Sequence, residues 1–308
     1  MATLTDMINE VSMNLSGYTL QQDRATHITA DVAATASTIA APITLSLAST
    51  DSVGKGIVEI DEELFWVDNY DRVGNTATIA PYGRAYIGTT LAAHTAGTKV
   101  TIAPTFPRFT IKRAINDTIS AIGSSIFAAN TTTITSNSAV SAFRLPNTGT
   151  TLNISKILAI AYQALGSSKE WIPIRNYRFD GNANSTAFTS GQTVSIYDYI
   201  PSGRTVQVVY ATDPVAFTTN ADVFTTQTGL PESCKDLVIL GATYRLLSNL
   251  DPARASMVSP QADETDSKRP YGSSQSLTKQ VYALFNQRLN EEIKNQQDKY
   301  PIRVHYSL

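Results

Sequence analysis

The chain is poor in the features that usually announce chemistry. Its 308 residues include a single cysteine, Cys234, so no internal disulfide can form and nothing demands an oxidising compartment. Charged residues make up only 16%, well under the ordinary ~25%, and Thr, Ser, Ala and Asn fill the deficit. That profile suits a β-rich structural or secreted protein better than a cytosolic enzyme. A formal net charge of −2 argues against a surface that coats nucleic acid, which needs clustered Lys and Arg. No apolar run approaches the ~20 residues of a membrane span, so no membrane partner is expected. Residues 1–20 lack the basic and apolar regions of a signal peptide, and none is expected. There is no G-x-S-x-G, Walker A, H-E-x-x-H, paired C-x-x-C or G-x-G-x-x-G. His27, His94 and His305 are far apart, none with a carboxylate or second histidine at ligand spacing. Asp61-Glu62-Glu63 reads as a charged turn rather than a cation site or an acid/base pair. Cys234 reads as a small buried hydrophobe whose thiolate Asp236 disfavours. No enzymatic activity, cofactor or metal is expected.

What is present is helical and strand patterning. Residues 231–250 form the most apolar helix, opened by Pro231 and Glu232 and stopped by Asp251-Pro252. Leu237, Leu240, Tyr244 and Leu247 make one stripe, and Ile239, Ala242, Leu246 and Leu250 a second, so this helix needs burial on more than one side. Gly241 within it marks a close-packing position. Three further amphipathic helices are expected. Residues 3–16 carry Leu4, Ile8, Val11 and Leu15 on one face, with Thr3 and Asp6 at capping-box spacing and Gly17 as the stop. A second opens at Phe106-Pro107-Arg108 and aligns Ile111, Ile115, Ile119 (or Thr118), Ile122 and Ile126. The last, 276–297, aligns Leu277, Val281, Leu284, Phe285, Leu289 and Ile293, with an Arg288–Glu292 ion pair on its wet side. The polar stretch between 252 and 275 reads as an arm that orders on a partner.

Between the helices the texture is β. Residues 27–103 hold short alternating runs around 43–47, 57–60, 64–67, 76–79 and 99–102, the pattern of a compact antiparallel barrel or sandwich whose ends meet. Residues 131–228 hold runs around 141–145, 157–162, 171–177, 194–199 and 205–210, for which a β-sandwich is favoured. The expected architecture is α+β: a discontinuous four-helix body (1–24, 105–126 and 230–308) with inserted β-domains at 25–104 and 127–229. After Pro301, Ile302, Val304, Tyr306 and Leu308 alternate with Arg303, His305 and Ser307. With Tyr300 they read as a docking strand for a neighbouring subunit or another protein, the alternative being that they pack back on a β-domain of the same chain.

Certain stretches resemble known proteins. Gly56-Ile57-Val58-Glu59-Ile60-Asp61-Glu62-Glu63-Leu64-Phe65-Trp66-Val67, continued by Tyr82-Gly83-Arg84-Ala85-Tyr86-Ile87-Gly88-Thr89-Thr90 and Ala92-Ala93-His94-Thr95-Ala96-Gly97-Thr98, is similar to a β-module of tailed-bacteriophage virion proteins. Ser202-Gly203-Arg204-Thr205-Val206-Gln207-Val208-Val209-Tyr210, the Leu230-Pro231-Glu232-Ser233 helix start, Gly241-Ala242 and Arg245-Leu246-Leu247 resemble phage head-to-tail connector (adaptor) proteins. The resemblance implies a structural protein of the virion neck, assembled in the host cytoplasm. It would form a homo-oligomeric ring, dodecameric in expectation, that docks on the portal protein and meets a downstream tail or head-completion protein. DNA would pass through its lumen without specific binding. The rival reading is a tail or baseplate protein whose β-modules bind carbohydrate or a host surface.

Overall fold

The computed structural model describes residues 1–19, 23–137, 139–145, 154–165, 169–248 and 273–301. It is an α+β chain of helices and antiparallel sheets that separates into two compact units. One comprises Thr5–Ile115 and Ile239–Val281, the other Met1–Leu4, Asn116–Val238 and Tyr282–Leu308. The dividing points fall inside helices.

In the first unit, six strands form one antiparallel sheet: β1 (Arg24–His27), β2 (Thr44–Ser46), β3 (Gly56–Ile60), β4 (Glu63–Asp71), β5 (Thr76–Ile79) and β6 (Lys99–Ile102), in the order β1-β6-β3-β4-β5-β2. The two outer strands meet at an Ile28–Leu47 bridge, where Thr29 N–H donates to Ser46 O at 2.8 Å and Ala48 N–H to His27 O at 2.9 Å. The sheet therefore curls on itself around Leu45, Val58, Ile60, Phe65, Ile79 and Val100. Arg24 pairs with Ile102, so the chain enters and leaves this sheet side by side.

The second unit holds two sheets. β7 (Ala128–Thr135), β9 (Ile154–Gln163), β10 (Trp171–Pro173) and β13 (Thr205–Thr212) form one in the order β10-β9-β13-β7. β8 (Ala142–Arg144), β11 (Tyr177–Asp180) and β12 (Thr193–Ile196) form the other in the order β11-β12-β8. Both supply one apolar cluster: Ile134, Ile160, Val206 and Val208 from the first, Val194 and Ile196 from the second. This is the packing of a sandwich. Two sequence expectations change here. The run 171–177 is not one strand: β10 and β11 lie in different sheets and the chain crosses between them through Ile174, Arg175 and Asn176. β7 was not foreseen, because among its eight residues, AANTTTIT, only Ile134 is a large apolar side chain.

Five α-helices are described: α1 (Leu4–Thr19), α2 (Arg108–Ile122), α3 (Phe224–Thr228), α4 (Lys235–Ser248) and α5 (Ser273–Lys299). α1 runs past Gly17 instead of stopping there, with Leu4, Met7, Ile8, Val11 and Leu15 wholly buried. The short α3 ends at Gly229, whose φ of 70° needs glycine, and a Cβ there would lie 2.7 Å from the Ala128 methyl. On α5 the buried side differs from the expected stripe: Val281 and Phe285 are buried, Leu284 is exposed, and Glu292 is buried. The Arg288–Glu292 pair exists at 3.2 Å, but its carboxylate points inward rather than to the wet side. The Ser233 hydroxyl donates to the same carboxylate at 3.0 Å. No described helix is long and apolar enough to cross a membrane.

Candidate functional site

The densest polar chemistry lies in the curled sheet, on residues that the sequence places far apart. The β3–β4 hairpin turns at Asp61, whose φ of 56° is a left-handed conformation that Asp tolerates better than most residues. This turn sets Glu63 at the first position of β4 with its side chain 1% exposed. From the long connection between β5 and β6, Arg84 reaches back to it. Arg84 Nε donates to Glu63 Oε1 at 2.9 Å and one terminal nitrogen donates to Oε2 at 2.7 Å, a bidentate pair. The same guanidinium binds the carbonyls of Ala33, Thr35 (3.1 Å) and Ala92 (2.5 Å). Backbone N–H groups of Ala85 (3.1 Å) and Ala92 (2.9 Å) donate to Glu63 as well.

His94 completes the network. Its Nδ1 lies 2.7 Å from Asp61 Oδ2 and its Nε2 lies 3.0 Å from Glu63 Oε2. A neutral imidazole has one N–H and would set a lone pair against one carboxylate. Two carboxylate partners therefore define a doubly protonated ring. Burial opposes that charge, but the bonds from Glu63 and Asp61 outweigh it and raise the His94 pKa above its usual 6.5. Burial likewise pushes against ionised Glu63, yet the bonds from His94, Arg84, Ala92 and Ala85 hold it down to about 2. Phe65 closes the site from the core, with its ring centroid 4.9 Å from the Arg84 guanidinium carbon and 5.7 Å from the His94 ring.

Chemically, this arrangement is a clamp. Both ring nitrogens of His94 are donors already in use and the side chain is 1% exposed, so it has no lone pair to offer a substrate proton. No carboxylate stands at ligand spacing from His94 in the sequence, and folding brings Asp61 and Glu63 to it from 33 and 31 residues away. The signal available in the sequence was the appearance of Asp61, Glu63, Arg84 and His94 in a chain otherwise short of charge. Gly83 is part of the same construction. A Cβ on it would lie 2.9 Å from both Ala80 O and Trp66 O, while its own backbone bonds both residues (Gly83 N–H to Ala80 O, 2.8 Å; Trp66 N–H to Gly83 O, 2.7 Å).

Glu59, four residues before Glu63, has the opposite environment. Val58 and Ile60 face the sheet core, while Glu59 is buried on the other face, where its Oε1 accepts the Arg108 N–H at the start of α2 at 2.5 Å. Burial outweighs this bond and the Arg108 charge and lifts Glu59 to about 7.

The residues expected to act in assembly lie elsewhere. On α4, Leu237, Gly241 and Leu247 are buried, whereas Leu240 and Tyr244 are half-buried. The deeper side of this helix is the second stripe, Ile239, Ala242 and Leu246, with Val238. Cys234 is buried and pushed up to about 12, first by burial and then by Glu292, not by Asp236. Tyr300 is half-buried against Phe127, ring centroids 5.9 Å apart. Ile302, Val304, Tyr306 and Leu308 lie outside the described residues, as do 252–272 of the expected arm. Among the described residues, no group of three or more His, Cys, Asp or Glu side chains is placed to hold a metal ion. No protein-family model and no curated protein matches the chain.

Proposed function

We propose that this chain is a structural virion protein, a head-to-tail connector that forms a ring between portal and tail and encloses part of the DNA channel. In this reading α1, α2, α4 and α5 build one discontinuous helical body with the β-modules as insertions, and the C-terminal tail contributes to docking. One observation carries the reading. Glu63, Gly83, Arg84 and His94, among the residues behind the virion-module resemblance, hold the β5–β6 connection to the β3–β4 hairpin. The similarity therefore rests on residues that determine a local fold, and their chemistry is used up in doing so. Such a module suits a rigid particle component rather than a catalyst.

The test is electron microscopy of the purified protein, alone and mixed with the portal of the same virion. Rings seated coaxially on the portal are the expected result. A protein that stays monomeric and never associates with the portal overturns the proposal. A second reading, a carbohydrate- or host-surface-binding module, is favoured by the exposed Trp171, Tyr197 and Tyr199 on the sandwich unit. Asp198 accepts N–H bonds from Arg175 (2.9 Å) and Asn176 (3.0 Å), which brings the Tyr197 and Tyr199 segment against the one that follows Trp171. Glycan binding that disappears in Tyr199→Ala, in a protein without portal affinity, would select this second reading.

A further inference from the structure

The chain leaves the curled sheet for α2 through a short segment that two carboxyl groups hold. Asp23, just ahead of β1, accepts the Thr105 N–H at 3.3 Å, and Glu59 on β3 accepts the Arg108 N–H at 2.5 Å. Their surroundings differ. Asp23 is exposed, whereas Glu59 is buried. The ion pairs formed around Glu59 pass it by: Lys112 meets Glu62 at 3.2 Å and Arg84 meets Glu63 at 2.7 Å, and among the described residues Glu59 joins none. Arg108 belongs to the very residue whose N–H Glu59 binds, yet its guanidinium is turned away. Its Nη1 donates to Asn9 Oδ1 on α1 at 2.8 Å, an exposed bond to a neutral acceptor.

Asn9 and Glu59 are thus alternative acceptors for one side chain. A buried carboxyl without a cation is stable as the neutral acid, and the guanidinium can then remain on Asn9. Once the proton leaves, an unpaired carboxylate in the interior is costly, and a charge-assisted bond to it is roughly twice as strong as one to a neutral amide oxygen. The other charges nearby are less well placed. Directly opposite Glu59 stand Thr101 of β6 and Leu64 of β4, neither charged. Lys99 lies two residues further along β6, exposed and in register with His27 of β1. On α2, Lys112 is held by Glu62 and Arg113 lies five residues past Arg108. Asp23, and Asp6 and Glu10 on either side of Asn9, are acidic and offer a carboxylate no partner. We propose that Glu59 is the proton-controlled half of a two-position latch: protonated, it leaves the Arg108 guanidinium on Asn9 of α1, and ionised, it draws that guanidinium to itself and frees Asn9. Acidity thereby decides whether the Arg108 side chain at the head of α2 is tied to α1 or to β3. Burial lifts Glu59 to about 7, so the exchange falls in the neutral range. The inference does not depend on the connector reading.

A titration of the whole protein by NMR tests this, following the Glu59 carboxyl carbon, the Arg108 guanidinium and the Asn9 side-chain amide from pH 5 to pH 9. In the wild type the three should move together with one midpoint at about 7. In Glu59→Gln the Arg108 and Asn9 signals should stay still. Three results overturn the latch: a Glu59 already ionised at pH 5, Arg108 and Asn9 signals that ignore its titration, or movement that persists in Glu59→Gln and so belongs to another group such as His27. Asn9→Ala supplies an independent check at an exposed position. It removes the rival acceptor, so the ionised form gains its partner more readily and the Glu59 midpoint should fall by about half to one pH unit. An unchanged or higher midpoint refutes the exchange.

Discussion

Replacing Glu59 by Gln should stabilise the protein at pH 8 and leave it nearly unaltered at pH 4, below the ordinary value of 4.5. Burial raises this carboxyl from 4.5 to about 7. Between those values the folded state holds a proton that the unfolded state has released, so stability falls as pH rises through the window. Each pH unit is worth about 1.36 kcal/mol, which makes the accumulated loss above pH 7 roughly 3 kcal/mol. Gln is nearly isosteric with the protonated acid and keeps the oxygen that accepts the Arg108 N–H at the head of α2. The variant therefore retains the bond to the helix start and loses only the cost of a buried charge. Urea unfolding of both proteins at pH 4 and pH 8, at equal ionic strength, measures this directly. The expected pattern is nearly coincident midpoints at pH 4 and a more stable variant at pH 8. Equal effects at both pH values, or a variant destabilised at pH 8, would show that Glu59 serves α2 as an anion and that the weight given to its burial is wrong.

Glu63, on the second strand of the same hairpin, should behave in the opposite sense. Glu63, held down to about 2 from 4.5, contributes stability that is complete above pH 4.5 and lost as pH falls through about 2; Glu63→Gln should flatten that acid limb of a Tm-against-pH curve. His94, raised above 6.5, contributes stability that is complete below pH 6.5 and lost as pH climbs through its folded value, so His94→Gln should remove an alkaline decline in Tm and a persisting decline would exonerate the ring. Arg84→Met strands Glu63 in the interior and should cost about 3–5 kcal/mol in urea unfolding, a loss below 1 kcal/mol being incompatible with the clamp. Gly83→Ala forces a Cβ to 2.9 Å from two backbone carbonyls and should cost roughly 1–3 kcal/mol by the same measurement, with wild-type stability as the refuting result.

What could be read from the sequence was whatever repeats locally. Leu45, Ile57-Val58 and Val100 alternate in short runs bounded by turn residues, and their strands lie where the alternation put them. Leu4, Ile8, Val11 and Leu15 recur at helical spacing, and all are buried. The misses have a common cause, a tertiary partner that local pattern does not encode. Thr-rich β7 is a strand because β13 offers eight consecutive partners, not because its own side chains demand burial. Gly17 does not end α1, since a single glycine costs a helix only ~1 kcal/mol and tertiary packing can override it. Glu292 sits inside because Ser233 and Arg288 meet it there, whereas its spacing from Arg288 fits an exposed pair equally well. The clamp is the extreme case. Its bonded side-chain pairs lie 21 to 33 residues apart, and nothing in the spacing of Asp61, Glu63, Arg84 and His94 states that they converge.

The convergence solves a problem that apolar packing alone would solve badly. The connection from Ile79 to Lys99 is long and carries no regular structure beyond the short helical turn Tyr86–Gly88. Ordering such a backbone costs about 1–2 kcal/mol per residue. Two of its large apolar side chains, Tyr82 and Ile87, point into solvent, both at positive φ, and repay little of that cost. A strained backbone of this kind persists only where its surroundings over-determine it. Arg84 and His94 supply that constraint at two points of the connection, both converging on the single carboxylate of Glu63. The same residues reach the segment before β2 through the carbonyls of Ala33 and Thr35 and the Val32–His94 backbone pairing. Hydrophobic residues in these positions could fill the volume but could not bond the carbonyls of Ala33, Thr35 and Ala92 or the N–H groups of Ala85 and Ala92, each of which would then lose a partner. Charge-bearing side chains are therefore concentrated here, in a chain with few to spare, because irregular backbone enclosed by a small sheet needs donors and acceptors more than it needs apolar area.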